Sequence, residues 1–92
     1  MSSFTILVVE DEDAIREMLM MVLEQAGFVP IAAADAEDAQ KSLDDNLPDL
    51  ILLDWMLPGI SGVEWARRLK KEPIYRDIPI ILLTARGEEE DK

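Results

Sequence analysis

Two hydrophobic rhythms alternate along the chain. Ile6-Leu7-Val8-Val9 is a continuous apolar run between polar residues, and Leu50-Ile51-Leu52-Leu53 and Ile78 through Leu83 repeat it. Short unbroken runs of this kind mark strands covered on both faces. Pro79 falls near the start of the last run, where a strand tolerates a missing N–H. Phe28 to Ala33 is a weaker candidate, interrupted by Pro30, and reads as an edge strand. Between the runs the period changes. Ile15, Met18, Leu19, Val22, Leu23 and Ala26 fall at the spacing of one helical stripe. Asp13 suits the N-cap of that helix, and Gly27 suits the position just past its end. A second helix is predicted from about Asp35 to Leu43, with Ala36, Ala39 and Leu43 inward. A third is predicted from about Gly62 to Lys70, with Val63, Ala66 and Leu69 inward and Trp65 as a packing residue. The order β-α-β-α-β-α-β, with doubly covered strands, predicts an α/β fold: a parallel sheet with helices on both faces.

Composition narrows the chemistry. Ninety-two residues form one small domain, which buries only about 60–65% of the surface its unfolded chain exposes. Nine Lys and Arg stand against 20 Asp and Glu, for a net charge of −11. That balance excludes a nucleic-acid binder that works by neutralising phosphates. With no cysteine and no histidine, the chain has no disulfide, no thiolate nucleophile and no imidazole chemistry. Carboxylates, hydroxyls and a few cations remain. The opening Met1-Ser2-Ser3-Phe4-Thr5 has no basic stretch ahead of an apolar one. No apolar run approaches the roughly 20 residues that cross a bilayer. A cytoplasmic protein with no membrane partner is expected.

The acids have a pattern. Glu10-Asp11-Glu12 follow the first strand, and Asp54 ends the strand that begins at Leu50. Open α/β sheets bind ligands beyond the carboxyl ends of their strands. If these two strands are neighbours, Glu10, Asp11 and Asp54 converge on one pocket. Clustered carboxylates repel one another unless a cation binds or one of them stays protonated. An oxygen-only donor set with open positions suits Mg²⁺. Mg²⁺ beside a free carboxylate and a hydroxyl suggests phosphoryl chemistry, with Asp54 as the nucleophile. Each residue also has a plainer reading. Acids ahead of a helix favour its N-terminus, a lone Asp after a strand caps a turn, Thr84 can simply finish a strand, and Glu88 to Asp91 read as a solvated helix start. Met18, Met20 and Met21 read as core and helix surface rather than as a partner groove.

Taken together, the segments Ile6 to Glu12, Asp49 to Gly59 and Ile80 to Arg86 resemble the receiver domains of two-component transcriptional response regulators, over the whole chain. The resemblance implies a flavodoxin-like (CheY-like) parallel sheet, here about four strands with three helices and the start of a fourth. It implies that Asp54 accepts a phosphoryl group from a phosphohistidine of a sensor histidine kinase. Glu10, Asp11 and Asp54, with the backbone carbonyl of Met56, would hold the cofactor Mg²⁺. Thr84 would hydrogen-bond a phosphoryl oxygen, Ala85 would leave room beside it, and Trp55 would lie over the mouth of the site. Pro58 and Gly59 suit the turn into the third helix. An Asp-based phosphatase of similar architecture usually carries a second Asp two residues after the nucleophile, where this chain has Met56.

Receiver domains have five β-α units, so residues 1–92 correspond to the N-terminal portion of one. The fifth strand, fifth helix and DNA-binding domain would lie outside it. None of Lys41, Lys70, Lys71 or Lys92 follows a strand where the family's phosphate-pairing lysine belongs. Weak phosphotransfer and impaired switching are expected, because one cationic contact to the transition state is lost. Without a fifth strand the apolar fourth strand is an exposed edge, which predicts self-association through it. The alternative to a signalling domain is a structural or self-associating fragment. No direct nucleic-acid binding is expected of this chain, although the full-length protein would bind DNA.

Overall fold

The computed structural model describes residues 3–83. They form β1 (Thr5–Val9), α1 (Asp13–Gln25), β2 (Val29–Ala33), α2 (Ala36–Asp45), β3 (Leu50–Asp54), α3 (Gly62–Lys70) and β4 (Ile80–Leu83). The sheet order is β2-β1-β3-β4, all pairs parallel. β1 and β3 are therefore neighbours, with Val8 beside Leu52 and Val9 beside Leu53. β2 lies at an edge, where Pro30 does not have to donate to a second strand.

Residues alternate across each strand. Leu7 and Val9 of β1 join Ala33, Ile51 and Leu53 in a core completed by Ala39 and Leu43 of α2, Trp65 and Leu69 of α3, and Ile78. Asp35 caps α2, its side chain accepting from the Asp38 amide at 2.8 Å. Ser61 caps α3, accepting from the Glu64 amide at 3.1 Å. Trp65 carries more of the α3 contact than Val63 or Ala66, which are half-buried.

Three details differ from the pattern-based reading. Glu12, not Asp13, is the N-cap of α1; it makes no side-chain cap bond, and Asp13 is the first helical residue. Ile78 and Pro79 precede β4. Ile78 plugs the core, and the Pro79 carbonyl accepts from the Ile51 amide at 3.0 Å, so the apolar run is longer than the strand. No residue of α1 is fully buried. Ile15, Leu19 and Leu23 are half-buried, while Met18, Met21, Val22 and Ala26 of the same broad face stay exposed. α1 lies against β1 and β2, and one helix about 10 Å across leaves part of that face of four strands spaced about 4.8 Å apart uncovered. Ile81 of β4, beside the half-buried Leu52, is consequently 50% exposed.

The end of α1 is as expected. Gly27 has φ 97°, and the Gly27 and Phe28 amides return to the carbonyls of Glu24 and Leu23, both at 3.0 Å. This is a Schellman closure that favours glycine. Among the described residues, no helix is long and apolar enough to cross a membrane.

Candidate functional site

The chain leaves β1 for β2 on one side and later crosses to β3 on the other. The carboxyl ends of β1 and β3 thus flank the point where the strand order reverses, the usual place for a ligand in such a sheet. Three acids meet there. One carboxylate oxygen from each of Glu10, Asp11 and Asp54 lies within 4.8 Å of the others.

Each acid is placed by backbone. The Glu10 amide donates to the Ala33 carbonyl at 3.0 Å, extending the β1–β2 pairing one residue past β1. Its side chain turns inward, leaving the residue only 2% exposed, and Oε2 accepts from the Glu12 amide at 3.0 Å. Asp54 is the last residue of β3 and is 8% exposed; the Met56 amide approaches its Oδ1 at 3.4 Å. Asp11 stands exposed at the rim.

Two of three adjoining carboxylates are thus largely removed from water. Burial pushes the Glu10 carboxyl above its ordinary value. A hydrogen bond to Asp54 and the negative charges of Asp54 and Asp11 push the same way, while the Glu12 amide opposes them. A cation would relieve this repulsion. The donors are all hard oxygens, two fixed by secondary structure and one open to solvent, which fits Mg²⁺ with part of its water shell retained.

Beyond Asp54 the chain makes a tight excursion before α3. Trp55, 49% exposed, lines a shallow depression with Met56, Leu57, Gly59, Ile60 and Ser61. A second depression brings Asp11 and Glu12 against Met56, Leu57 and Pro58. Met56 and Leu57 border both. Gly59 takes a left-handed φ of 87° within the turn anticipated there. Thr84 and Ala85 lie outside the described residues.

Two residues of this region escaped the sequence reading. The Gly62 amide donates to the Trp55 carbonyl at 2.6 Å, and a Cβ on Gly62 would overlap the Asp54 carbonyl oxygen. Arg16 of α1 donates from one guanidinium nitrogen to the Glu10 carbonyl at 2.9 Å and from another to Asp13 Oδ1 at 2.6 Å. Both act on main chain, which side-chain periodicity does not record. The available signals were a glycine at the first position of a helix and a lone arginine amid acids.

A four-stranded parallel sheet with an acidic, oxygen-only pocket at its switch point defines a class of domain, and comparison with known proteins assigns it. The response regulator receiver domain family matches residues 6–92, and the chain belongs to that family. It is 60% identical over 87 residues to the phosphate regulon transcriptional regulatory protein PhoB of Escherichia coli, covering 95% of this chain and 38% of that protein. Its identity to the PhoB of Pseudomonas aeruginosa is 56% over 88 residues, covering 96% of this chain and 38% of that protein. The chain therefore spans less than half the length of these curated relatives. Among solved structures it is similar to the N-terminal domain of a response regulator receiver protein from Methanoculleus marisnigri. There the identity is 40% and the TM-score 0.88, covering 96% of this chain and 72% of that one. The fold is thus the CheY-like receiver fold.

Proposed function

We propose that this chain is the phosphoacceptor part of a PhoB-like transcriptional regulator. A phosphohistidine of a sensor histidine kinase is the donor and Asp54 the acceptor. Glu10, Asp11, Asp54 and the Met56 backbone carbonyl hold Mg²⁺. The observation that carries the reading is the meeting of three carboxylates within 4.8 Å at the switch point, in a member of the receiver family. An Asp54 carboxylate oxygen forms a bond to phosphorus as the bond from phosphorus to the imidazole nitrogen breaks; the imidazole departs with the electron pair and takes up a proton. Mg²⁺, when bound, offsets the charge gathered on the carboxylates and phosphoryl oxygens. Glu10 is held by the Ala33 carbonyl and the Glu12 amide, so it enters the site without reorganisation. The Met56 amide beside Asp54 Oδ1 restrains the acceptor. Thr84 hydrogen-bonds a phosphoryl oxygen, Ala85 leaves room beside it, and Trp55 borders the pocket. The chemistry is limited to the chain's own phosphorylation and dephosphorylation, so the chain is a signalling domain rather than an enzyme acting on other substrates.

In this reading the chain is the N-terminal portion of a receiver domain, which the 72% share of a solved receiver chain supports. DNA binding then belongs to the remainder of the full-length regulator. Chains also pair through β4, whose Ile81 and Leu82 are substantially exposed. Light scattering that shows a monomer at high concentration removes that last element.

The phosphoacceptor reading is tested by incubating the chain with Mg²⁺ and acetyl phosphate and weighing it intact. A one-phosphoryl adduct that is absent in Asp54→Asn is the expected result. No adduct on the unaltered chain would instead support a non-signalling structural fragment.

A further inference from the structure

We infer that Arg16 is a positioning residue for the cation site, clasping the turn that carries Glu10 and Asp11. This rests on the Mg²⁺ reading above and adds to it a residue outside the acidic set. Arg16 sits in the first turn of α1, and helical side chains lean toward the N-terminus. Its guanidinium therefore reaches back across the loop to the carbonyl of Glu10, six residues earlier and just beyond β1, at 2.9 Å. The bond closes a ring of chain containing Asp11, Glu12 and the Glu12 amide that Glu10 Oε2 accepts from.

With it, both main-chain polar groups of Glu10 are satisfied, the amide by Ala33 and the carbonyl by Arg16. Glu10 is 2% exposed with Arg16 in place, so where an apolar side chain fills the same space the carbonyl has no donor, and the turn would have to open to find a replacement partner. Opening the turn moves the Glu10 carboxylate and Asp11 relative to Asp54. Arg16 is the first basic residue of the chain, Lys41 being the next. Its side chain is only 19% exposed, while its partner Asp13 is 82% exposed. The exposed pair with Asp13 matters little by itself; the bond to the Glu10 carbonyl is the one that shapes the site.

A simple charge argument predicts the opposite outcome. A cation near the pocket repels Mg²⁺, so removing Arg16 should tighten binding if charge dominates. Positioning dominates here because the guanidinium is engaged by the Glu10 carbonyl at 2.9 Å, and outer partners that orient ligands are typically worth about 10–100-fold in metal affinity.

The test is Mg²⁺ titration by calorimetry, with amide hydrogen exchange of the metal-free chain alongside. Arg16→Met should raise the Mg²⁺ Kd about tenfold. Arg16→Lys, which can still donate to the Glu10 carbonyl, should recover most of that loss. Asp13→Asn, which breaks only the outer pair, should leave the Kd within about twofold. In Arg16→Met the Glu12 amide should exchange faster while those of Leu7 and Val8 keep their rates. An unchanged or tighter Kd in Arg16→Met overturns the inference, as does equal loss in Arg16→Met and Asp13→Asn. If the unaltered chain binds no Mg²⁺, the metal reading itself fails. The Glu12 amide then still decides the clasp, with unchanged exchange overturning it.

Discussion

Glu10 concentrates the conflict between folding and function in one side chain. It is a carboxylate in a buried position, beside two others. Its carboxyl is raised from the ordinary value of 4.5, first by loss of water and then by Asp54 and Asp11, against the Glu12 amide. An acid whose folded value lies above its unfolded one holds its proton more tightly in the native state. Its favourable contribution is complete below 4.5 and is lost as pH rises through the folded value. As pH rises through that value, Glu10 therefore becomes a burden on the fold. Glu10→Gln keeps an acceptor for the Glu12 amide and removes the charge. Thermal melts should show it a few degrees more stable than the unaltered chain at neutral pH, with the advantage vanishing in acid. The same variant should lose Mg²⁺ affinity, so stability and cation binding move in opposite directions. The acids themselves were legible in the sequence, because a buried strand ends where its apolar run ends and the next polar residues face the ligand end. Arg16 was not, because its part is a bond to main chain six residues back.

At the scale of elements, the approach of α3 to the end of β3 sets where Asp54 stands. Gly62, the first residue of α3, is packed on the backbone of Asp54 and Trp55, and a Cβ there would overlap the Asp54 carbonyl oxygen and lie 3.1 Å from that of Trp55. Neither obstacle is a flexible side-chain tip. Gly62→Ala must therefore push α3 away or bend the end of β3, a strain of about 1–3 kcal/mol, visible as a lower urea midpoint. Because Asp54 moves with its carbonyl, acetyl-phosphate labelling should fall as well. Ser61→Ala gives the contrast: losing the cap on Glu64 costs about 1 kcal/mol and should leave labelling near normal. The β3 run and the α3 stripe were readable because both obey a regular period. The glycine contact was not, since it depends on how two elements meet. The same limit applies to α1, whose apolar stripe was read from its period although no residue of it is fully buried.

For the whole molecule, the question is how much of the −11 charge acts diffusely and how much is focused at the switch point. Any salt relieves diffuse repulsion, and it does so without regard to which acids are present. Binding at one site differs, because a ligand that prefers the native state stabilises it by RT ln(1 + [L]/Kd). At a hundred times Kd this is about 2.7 kcal/mol. In a chain of this size each 1 kcal/mol moves Tm by roughly 4–8 °C, so saturating Mg²⁺ should raise Tm by about 10 °C or more. Sodium chloride at matched ionic strength should give a smaller rise. The difference between the two salts should disappear in Asp11→Asn, which removes the solvent-facing member of the acidic set. It should persist in Asp45→Asn, which removes an equal charge at the far end of α2. Equal effects of the two salts on the unaltered chain would mean that the acids at the ends of β1 and β3 share in a general surface charge. A Mg²⁺-specific rise that depends on Asp11 and not on Asp45 would mean that the fold gathers three of its acids to hold a cation.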